Sequence, residues 1–218
     1  MRKSLLLLSL VLLPLFAHAQ WRPVRGQATS AASSAQNQDN DNWWSRRFTV
    51  GLTFSADFYK YSGGVGAGLL FNFGRHTDLL NVSIGAEYIE YLASDPRPEE
   101  LKSKLNILDA GGQLVVPVTA KLIFLRTSQW SKVYIGCGAE WGFRMRDGSL
   151  LADYYPEGHV LRKSSMAVVP MLGCRSYNLD FGIYYKHYFD KPFNPSLDGK
   201  SDLGQTDKRI GCYLSWFF

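Results

Sequence analysis

The sequence predicts an all-β fold, an eight-stranded antiparallel up-and-down β-barrel that spans a membrane. Three observations support this prediction. Eight segments alternate apolar and polar residues with a period of two, which is the period of a β-strand with two different faces. The connections between the segments alternate between short and long, and the last segment keeps its alternation up to an aromatic final residue, Phe218. Membrane barrels combine alternating strands, unequal loops and aromatic girdles in this way.

Residues 1–19 have the features of a secretory signal peptide. Arg2 and Lys3 precede a short apolar run, and a small-x-small cleavage pattern ends at Ala19. The apolar run is shorter than the ~20 residues that a membrane-spanning helix needs. We therefore expect the mature chain to be exported and to enter a membrane only through its strands.

Residues 20–45 are predicted to form a disordered periplasmic leader, followed by the barrel at residues 46–218. The leader is rich in Ser, Ala, Gln, Asn and Asp, and such a composition buries too little apolar surface to offset the entropy of ordering. Removing Arg2 and Lys3 from the 24 basic residues leaves 22, against 19 acidic residues. This balance is too mild to indicate nucleic-acid binding.

The predicted strands follow one another closely from Phe48 onward. In most of them an apolar face stands opposite a polar face, as Leu80, Val82 and Ile84 stand opposite Asn81 and Ser83. The sixth segment is apolar on both faces, so its orientation stays open. The predicted strands are Phe48–Ser55, Gly64–Phe73, Leu80–Leu92, Gln113–Phe124 (with a start as early as Leu105), Lys132–Arg146, Ser165–Arg175, Leu179–Phe189 and Arg209–Phe218.

The predicted connections differ in length on the two sides of the barrel. Residues 74–78, 126–131 and 176–178 form short turns, whereas residues 93–104, 147–163 and 190–207 form long loops. The first outer loop, at residues 57–63, is shorter than this pattern prefers. In bacterial barrels the short turns face the periplasm, so an even number of strands places both termini there.

Alternation alone also fits a soluble, lipocalin-like barrel, in which the apolar faces would surround a ligand. The signal peptide, the terminal aromatic and the loop asymmetry favour the membrane barrel, whose polar faces line the interior. Eight strands leave an interior just wide enough for side chains to fill, and a buried unpaired charge costs several kcal/mol. We therefore expect a closed lumen without a wide water channel. Its predicted polar network consists of Glu87, Lys121, Glu140, Arg144, Asp180, Lys186 and Arg209.

The C-terminal strand resembles the insertion signal of bacterial outer-membrane β-barrels, in which alternating apolar residues lead to a terminal Phe. The resemblance implies that the barrel-assembly machinery reads Leu214, Trp216 and Phe218. It also implies that the protein resides in the outer membrane of a Gram-negative bacterium, surrounded by outer-membrane lipid.

The segment Leu114–Leu122 resembles a recurring strand of small outer-membrane barrels of Bacteroidetes, in which a Pro lies mid-strand and a Lys follows. Pro117 and Lys121 occupy these positions. The general form of the chain is similar to the PorT-like barrel family. This resemblance implies a supporting role in protein secretion or cell-surface assembly, with envelope proteins as partners. Because Pro cannot donate a ladder hydrogen bond, we expect a β-bulge at Pro117.

A catalytic site is not predicted. Barrel enzymes that modify lipid A need a nucleophile, a base and an orienting acid near the outer rim. The mature chain has only His76, His159 and His187, and none stands in a His-x-Ser or comparable pairing. The sequence has no metal-ligand spacing, and its three widely spaced cysteines do not form a disulfide framework. No cofactor is therefore expected.

The sequence thus favours a non-enzymatic structural or interaction protein. Two alternatives remain open, a channel for small or apolar solutes and a lipid A-modifying enzyme. Basic residues of the outer loops are candidates to pair with lipopolysaccharide phosphates, although a solvated loop surface also explains them. These residues are Lys102, Lys104, Arg146, Arg162 and Lys163, and of the two explanations the sequence favours the solvated surface.

Overall fold

Eight β-strands account for nearly all of the regular structure in the computed structural model of the chain. The structure describes residues 48–60, 62–74, 78–94, 107–127, 131–148, 155, 158–195 and 207–218. The strands are β1 (Phe48–Tyr59), β2 (Ser62–Phe73), β3 (Leu80–Ser94), β4 (Ile107–Arg126), β5 (Ser131–Asp147), β6 (Ser164–Ser176), β7 (Leu179–Asp190) and β8 (Lys208–Phe217).

The strands close into a barrel in sequence order, and each strand pairs antiparallel with its neighbours along the chain. β8 returns to β1 and pairs with it from Gly51 opposite Phe217 to Phe58 opposite Ile210. Closure leaves no free sheet edge, so every strand is paired on both sides. The predicted eight-stranded up-and-down barrel is confirmed.

The two ends of the barrel differ, and we name them after their connections. The short-turn end carries the β2–β3, β4–β5 and β6–β7 connections together with the start of β1 and the end of β8. The long-loop end carries the other four connections, of which β1–β2 is a tight hairpin with Tyr59 opposite Ser62. The predicted loop at residues 57–63 was therefore wrong, because the ladder continues through Asp57 and Gly63.

Most polar residues of the strands face the inside of the barrel, and most large apolar residues face the outside. Thr49, Thr53 and Asn72 are buried, whereas the alternate residues Phe48, Phe54 and Phe73 are exposed. The sixth strand, whose orientation the sequence left open, places Ala167 and Val169 in the interior. The same pattern on every strand requires one consistent register, since a slip of one residue would exchange the two faces.

Pro117 does not form the predicted bulge. Its register is continuous, with Val116, Pro117 and Val118 opposite Trp141, Glu140 and Ala139 of β5. On the β3 side Val118 pairs with Ile84 and Val115 pairs with Glu87 in the same register. The missing Pro donor therefore costs a local ladder bond without adding a residue.

The actual register shifts of β4 lie near its two ends. Against β5, one separates Gly112 from Gln113 and another separates Ile123 from Leu125. Against β3, a third lies where Tyr91 and Leu92 pair with Gly111 and Asp109. A bulge inserts one unpaired residue and thereby moves the following side chains to the other face. Near the long-loop end the backbone of Gly111 adopts a φ of 107°, a conformation that favours glycine.

Two connections fold back into the long-loop end of the barrel. Leu161, from the β5–β6 connection, forms a β-bridge with Phe193, which follows β7. Both side chains are fully buried and join a cluster that we call the apolar cap. The apolar cap consists of Ile89, Tyr91, Ala93, Leu108, Ala110, Val115, Tyr155, Val160, Leu161 and Phe193.

Several sequence predictions lie outside the described residues. They include the signal peptide at residues 1–19, the leader at residues 20–45, and His76, Lys102 and Lys104. Within the described part of the chain, no helix is long and apolar enough to cross a membrane.

Candidate functional site: the barrel interior

The barrel interior contains an unusual concentration of buried charge. Asp57, Asp180, Lys186 and Arg209 each expose only 1% of their surface. Such burial is tolerated only when the charges are paired and hydrogen-bonded. The side chains form two groups, one toward the long-loop end and one toward the short-turn end.

The first group, the Asp57 cluster, consists of Asp57, Ser62, Glu140, Lys186 and Arg209. Arg209 donates a hydrogen bond from Nη1 to Asp57 and another, 2.7 Å long, from Nη2 to Ser62 Oγ. Lys186 Nζ lies 3.5 Å from Asp57 Oδ2 and 2.8 Å from Glu140 Oε2. Two cations and two carboxylates therefore neutralise one another across four strands.

The apolar cap lies directly against the Asp57 cluster. The Arg209 guanidinium carbon is 4.7 Å from the centre of the Tyr91 ring and 5.2 Å from that of Phe193. The two rings meet edge-on at 5.5 Å. Cation–π contacts of this kind are strongest when water is excluded, so the cap both covers and stabilises the guanidinium.

The second group, the Lys121 cluster, consists of Lys121, Tyr134, Asp180 and Tyr213. Lys121 Nζ lies 2.7 Å from Asp180 Oδ2, and the Tyr134 hydroxyl donates to the other carboxylate oxygen. Tyr134 also hydrogen-bonds to Tyr213, and the lysine ammonium lies about 5 Å from both rings, at 5.0 and 5.1 Å. Asp180 is thus held by a cation and a phenol at once.

Between the two clusters the lumen encloses a cavity of about 50 Å³. Polar groups of Thr119, Glu140 and Lys186 line it together with the apolar side chains of Leu70 and Val169. This volume accommodates a few water molecules, far less than the 300–1,000 Å³ typical of ligand pockets. This cavity therefore offers no space for an organic substrate.

The structure brings six of the seven predicted lumen residues into the interior. Lys121 and Asp180 form one pair, Glu140 and Lys186 another, and Arg209 binds Asp57. Glu87 accepts a hydrogen bond from Ser55. The seventh residue, Arg144, lies at the long-loop rim.

Arg144 stabilises the folded-back loop and takes no part in either lumen cluster. Its Nη1 donates a 3.0 Å hydrogen bond to the carbonyl of Leu161, and its Nε lies 3.7 Å from Asp147. Its backbone amide also donates to the carbonyl of Lys163, at 3.1 Å. The residue therefore connects β5 to the loop that carries part of the apolar cap.

Sequence reasoning missed three of the buried charged residues of the lumen: Asp57, Lys132 and Arg175. Asp57 lies on the same face of β1 as Thr49, Thr53 and Ser55. Extending the predicted first strand by two residues would have found it. Lys132 has the same phase as Tyr134. Arg175 could not be oriented because the sixth strand is apolar on both faces.

Potential catalytic groups do not converge in the described residues. His159 Nδ1 lies 2.9 Å from Asp147 Oδ2, while the His187 ring packs edge-on against Phe189. In this part of the chain no serine hydroxyl hydrogen-bonds to either imidazole, and no three His, Cys, Asp or Glu residues are grouped as metal ligands. The three cysteines are free thiols.

The exterior of the barrel is lined by large apolar side chains, in contrast to the charged interior. Leu52, Ile84, Phe143 and Leu214 expose 39–47% of their surface, although large apolar side chains normally fill protein interiors. They belong to a continuous outward-facing surface that would be an aggregation hazard in water. A lipid environment explains both faces, since acyl chains solvate the outside while ion pairs fill the inside. The chain is a transmembrane β-barrel.

Comparison with known proteins gives a likeness of fold. No family model matches the chain, and neither does any curated protein. The N-terminal β-barrel domain of Pseudomonas aeruginosa OprF is similar, with 10% identity and a TM-score of 0.41 over 78% of this chain and 97% of that one. Ail, the attachment invasion locus protein of Yersinia pestis, solved with the heparin analogue sucrose octasulfate, is also similar. The corresponding values are 15% identity, a TM-score of 0.35, and coverage of 78% and 96%.

Proposed function

We propose that the protein is a closed outer-membrane barrel with a structural or interaction role, and that it is neither a pore nor an enzyme. The observation that carries this proposal is the filled interior. Two clusters of buried ion pairs and an apolar cap occupy the lumen, and about 50 Å³ remains between the clusters. A solute would have to displace paired charges whose separation costs several kcal/mol.

The orientation that we propose places the short turns and both termini in the periplasm and the long loops at the cell surface. The described long-loop end is supported by internal contacts. The amide of Arg162 donates to the carbonyl of Pro192, and the amide of Asn194 donates to the carbonyl of Val160, both at 2.9 Å. A loop surface held in one conformation is suited to binding a partner, because little entropy is lost on association.

A supporting role in protein secretion or cell-surface assembly, of the kind expected for a PorT-like barrel, is the finer form of this proposal. The segment that carries the resemblance places Pro117 and Lys121 on the lumen face of β4. Lys121 anchors the Lys121 cluster, so the motif contributes to the rigidity of the barrel wall. The partner would then be an envelope protein that contacts the turns or the loops.

Lipopolysaccharide is a further proposed partner at the long-loop end. Arg146 faces outward but is neutralised by Glu90 and Asp109, both at 2.6 Å. Arg162 and Lys163 instead line an open, polar pocket of about 530 Å³ beside Arg144 and His159. Phosphate groups of the outer leaflet are the ligands that such cations pair with.

Two measurements test the closed-barrel proposal. Purified protein in planar lipid bilayers should give no large, steady conductance steps, and affinity purification from detergent-extracted outer membranes should recover a defined envelope partner. Stable open steps would contradict the closed lumen and support the channel alternative. Hydrolysis or transfer of acyl groups on lipid A by the purified protein would contradict the non-enzymatic role.

A further inference from the structure

The short-turn end of the lumen contains a row of three basic residues on adjacent strands. Arg126 of β4 lies directly opposite Lys132 of β5, and Lys132 lies directly opposite Arg175 of β6. Directly opposed residues on neighbouring strands point to the same face, and like charges in this relation repel one another. We call these three residues the cation row.

A register shift places Arg126 in this row. The shift between Ile123 and Leu125 leaves one residue of β4 unpaired, so Arg126 points to the same side as Lys132 although unbroken alternation would turn it outward. Arg126 is exposed, whereas Lys132 and Arg175 are buried, with 2% and 6% of their surface exposed. The row therefore begins with an exposed residue at the mouth of the barrel and continues with buried residues on the inner face of the wall.

Among the described residues, the carboxylate that lies directly opposite Arg175 is already paired with another cation. Asp180 of β7 lies directly opposite Arg175 of β6. Its carboxylate is already bound by Lys121, at 2.7 Å, and by Tyr134. Asp78 of the β2–β3 connection also attracts Lys132. Asp180 is therefore shared between the Lys121 cluster and Arg175 of the cation row.

Each buried member of the row also has one donor atom without a hydrogen-bond partner among the described residues. Lys132 Nζ and Arg175 Nε are both buried donors without an acceptor. The Arg175 guanidinium carbon lies 4.4 Å from the centre of the Phe217 ring, a contact that orients the group but accepts no N–H hydrogen bond in its plane. An unpaired buried charge is costly, so this arrangement favours a bound anion.

We propose that the cation row is a binding site for an oxyanion, a phosphate group or a group of the same chemistry, at the short-turn mouth of the barrel. An ammonium and two guanidinium groups on one face match the several acceptor oxygens of a phosphate. The group comes either from a soluble phosphate or from the headgroup of a phospholipid. This site is distinct from the surface pocket at the long-loop end and does not depend on the proposed function or on the orientation in the membrane.

The test measures the thermal unfolding of the full-length protein in a phosphate-free, non-ionic detergent. Sodium phosphate is compared with sodium chloride at equal ionic strength, and a second series adds phosphatidylglycerol to the micelles. We expect phosphate, phosphatidylglycerol or both to raise the Tm beyond the effect of chloride, because a ligand that binds the folded state stabilises it. The series that saturates identifies the source of the phosphate group.

Two variants assign the effect to the cation row. Lys132→Met removes the buried charge but keeps an unbranched side chain, and should weaken phosphate binding by about tenfold or more, as expected for the loss of one charge-assisted contact. Arg126→Gln, at the exposed end, should weaken it less and should not impair folding. Lys208→Met, an exposed lysine at the opposite end, is the matched control and should leave the effect unchanged.

Two results would overturn the proposal. One is a Tm that depends only on ionic strength in both series. The other is a phosphate effect that persists in full when Lys132→Met and Arg126→Gln are combined. Neither result bears on the conductance of the barrel, so the closed-lumen proposal is tested separately.

Discussion

Asp180 is the carboxylate on which the short-turn half of the interior depends. It accepts from Tyr134 and pairs with Lys121, and its neighbour across β6 is Arg175. Lys121 has one carboxylate to pair with, that of Asp180, whereas Asp180 has several cations close enough to interact with it. The two members of the Lys121–Asp180 pair are therefore not equivalent.

This asymmetry predicts that Asp180→Asn destabilises the barrel more than Lys121→Met does. The first change leaves three cations, Lys121, Lys132 and Arg175, with a buried excess of charge, at a cost of about 3–5 kcal/mol. The second leaves Asp180 near Arg175 and should cost less. Urea unfolding in lipid vesicles measures both free energies, with Lys208→Met as the exposed control. A larger loss for Lys121→Met would contradict the charge balance that we describe.

The elements of the barrel were readable from the sequence to different degrees. Strands β1–β5, β7 and β8 have one apolar and one polar face, so their orientation followed from period two alone. β6 carries Ala167 and Val169 on its inner face, and no local signal distinguishes them from lipid-facing residues. Strand ends were missed where the ladder continues through turn-forming residues, as at Asp57.

The apolar cap was not predictable because it is made by long-range contacts. Tyr155, Val160, Leu161 and Phe193 lie in connections without periodicity, and their burial depends on the bridge between Leu161 and Phe193. The cation row depends on the shift between Ile123 and Leu125, which alternation conceals. Sequence pattern thus predicted the wall of the barrel and most of its inward-facing charges, whereas the apolar cap and the cation row required the three-dimensional register.

The cap predicts a local effect of Phe193→Ala. Truncating this fully buried ring leaves a cavity and exposes Arg209 to water, which should cost about 3 kcal/mol. The loss should be confined to the folded-back loops, since the ladder does not involve this ring. Hydrogen exchange at the amides of Arg162 and Asn194, which bond across the two loops, should become faster by about a hundredfold.

Phe189→Ala is the matched control for the cap, because Phe189 lies near the same end of β7 but is 64% exposed. In the Phe189→Ala variant, the rates of amide hydrogen exchange at Arg162 and Asn194 should equal those of the unmodified protein. Exchange that accelerates throughout the strands in Phe193→Ala would instead show that the cap is required for the whole barrel.

The final strand predicts a kinetic effect of Phe218→Ala. Leu214, Trp216 and Phe218 all lie on the exposed face, with 47–58% of their surface accessible, and are thus available to lipid and to an assembly factor. If the last strand carries the insertion signal, the substitution should slow insertion into membranes several-fold. Phe73→Ala, at the same end with 47% exposure, removes an equivalent lipid-facing ring and is the control. Equal slowing by both changes would indicate lipid contact alone.

At the scale of the whole molecule, the outward charges indicate where the apolar band ends. Arg146 bonds to Glu90 and Asp109 on the exterior of the long-loop end, and such a cluster is compatible with headgroups but not with acyl chains. Between this cluster and Trp216 near the other end, the exterior is lined by apolar residues such as Leu52 and Ile84. The lipid-facing band therefore lies between the Arg146 cluster and the end of β8.

The position of this band predicts how charge on the exterior depends on depth along a single strand. Ile84 of β3 lies within the band, whereas Leu92 lies two residues beyond Glu90, and both are about equally exposed, at 42% and 43%. Ile84→Arg should lower the free energy of unfolding in lipid vesicles by about 2–4 kcal/mol, and Leu92→Arg by about 0–1 kcal/mol, because arginine is most costly at the bilayer midplane. Since both residues face outward from one strand, propensity and packing are matched and the difference reports the surrounding medium. Equal costs at the two positions would mean that water, not lipid, surrounds the barrel, and the membrane assignment would then be wrong.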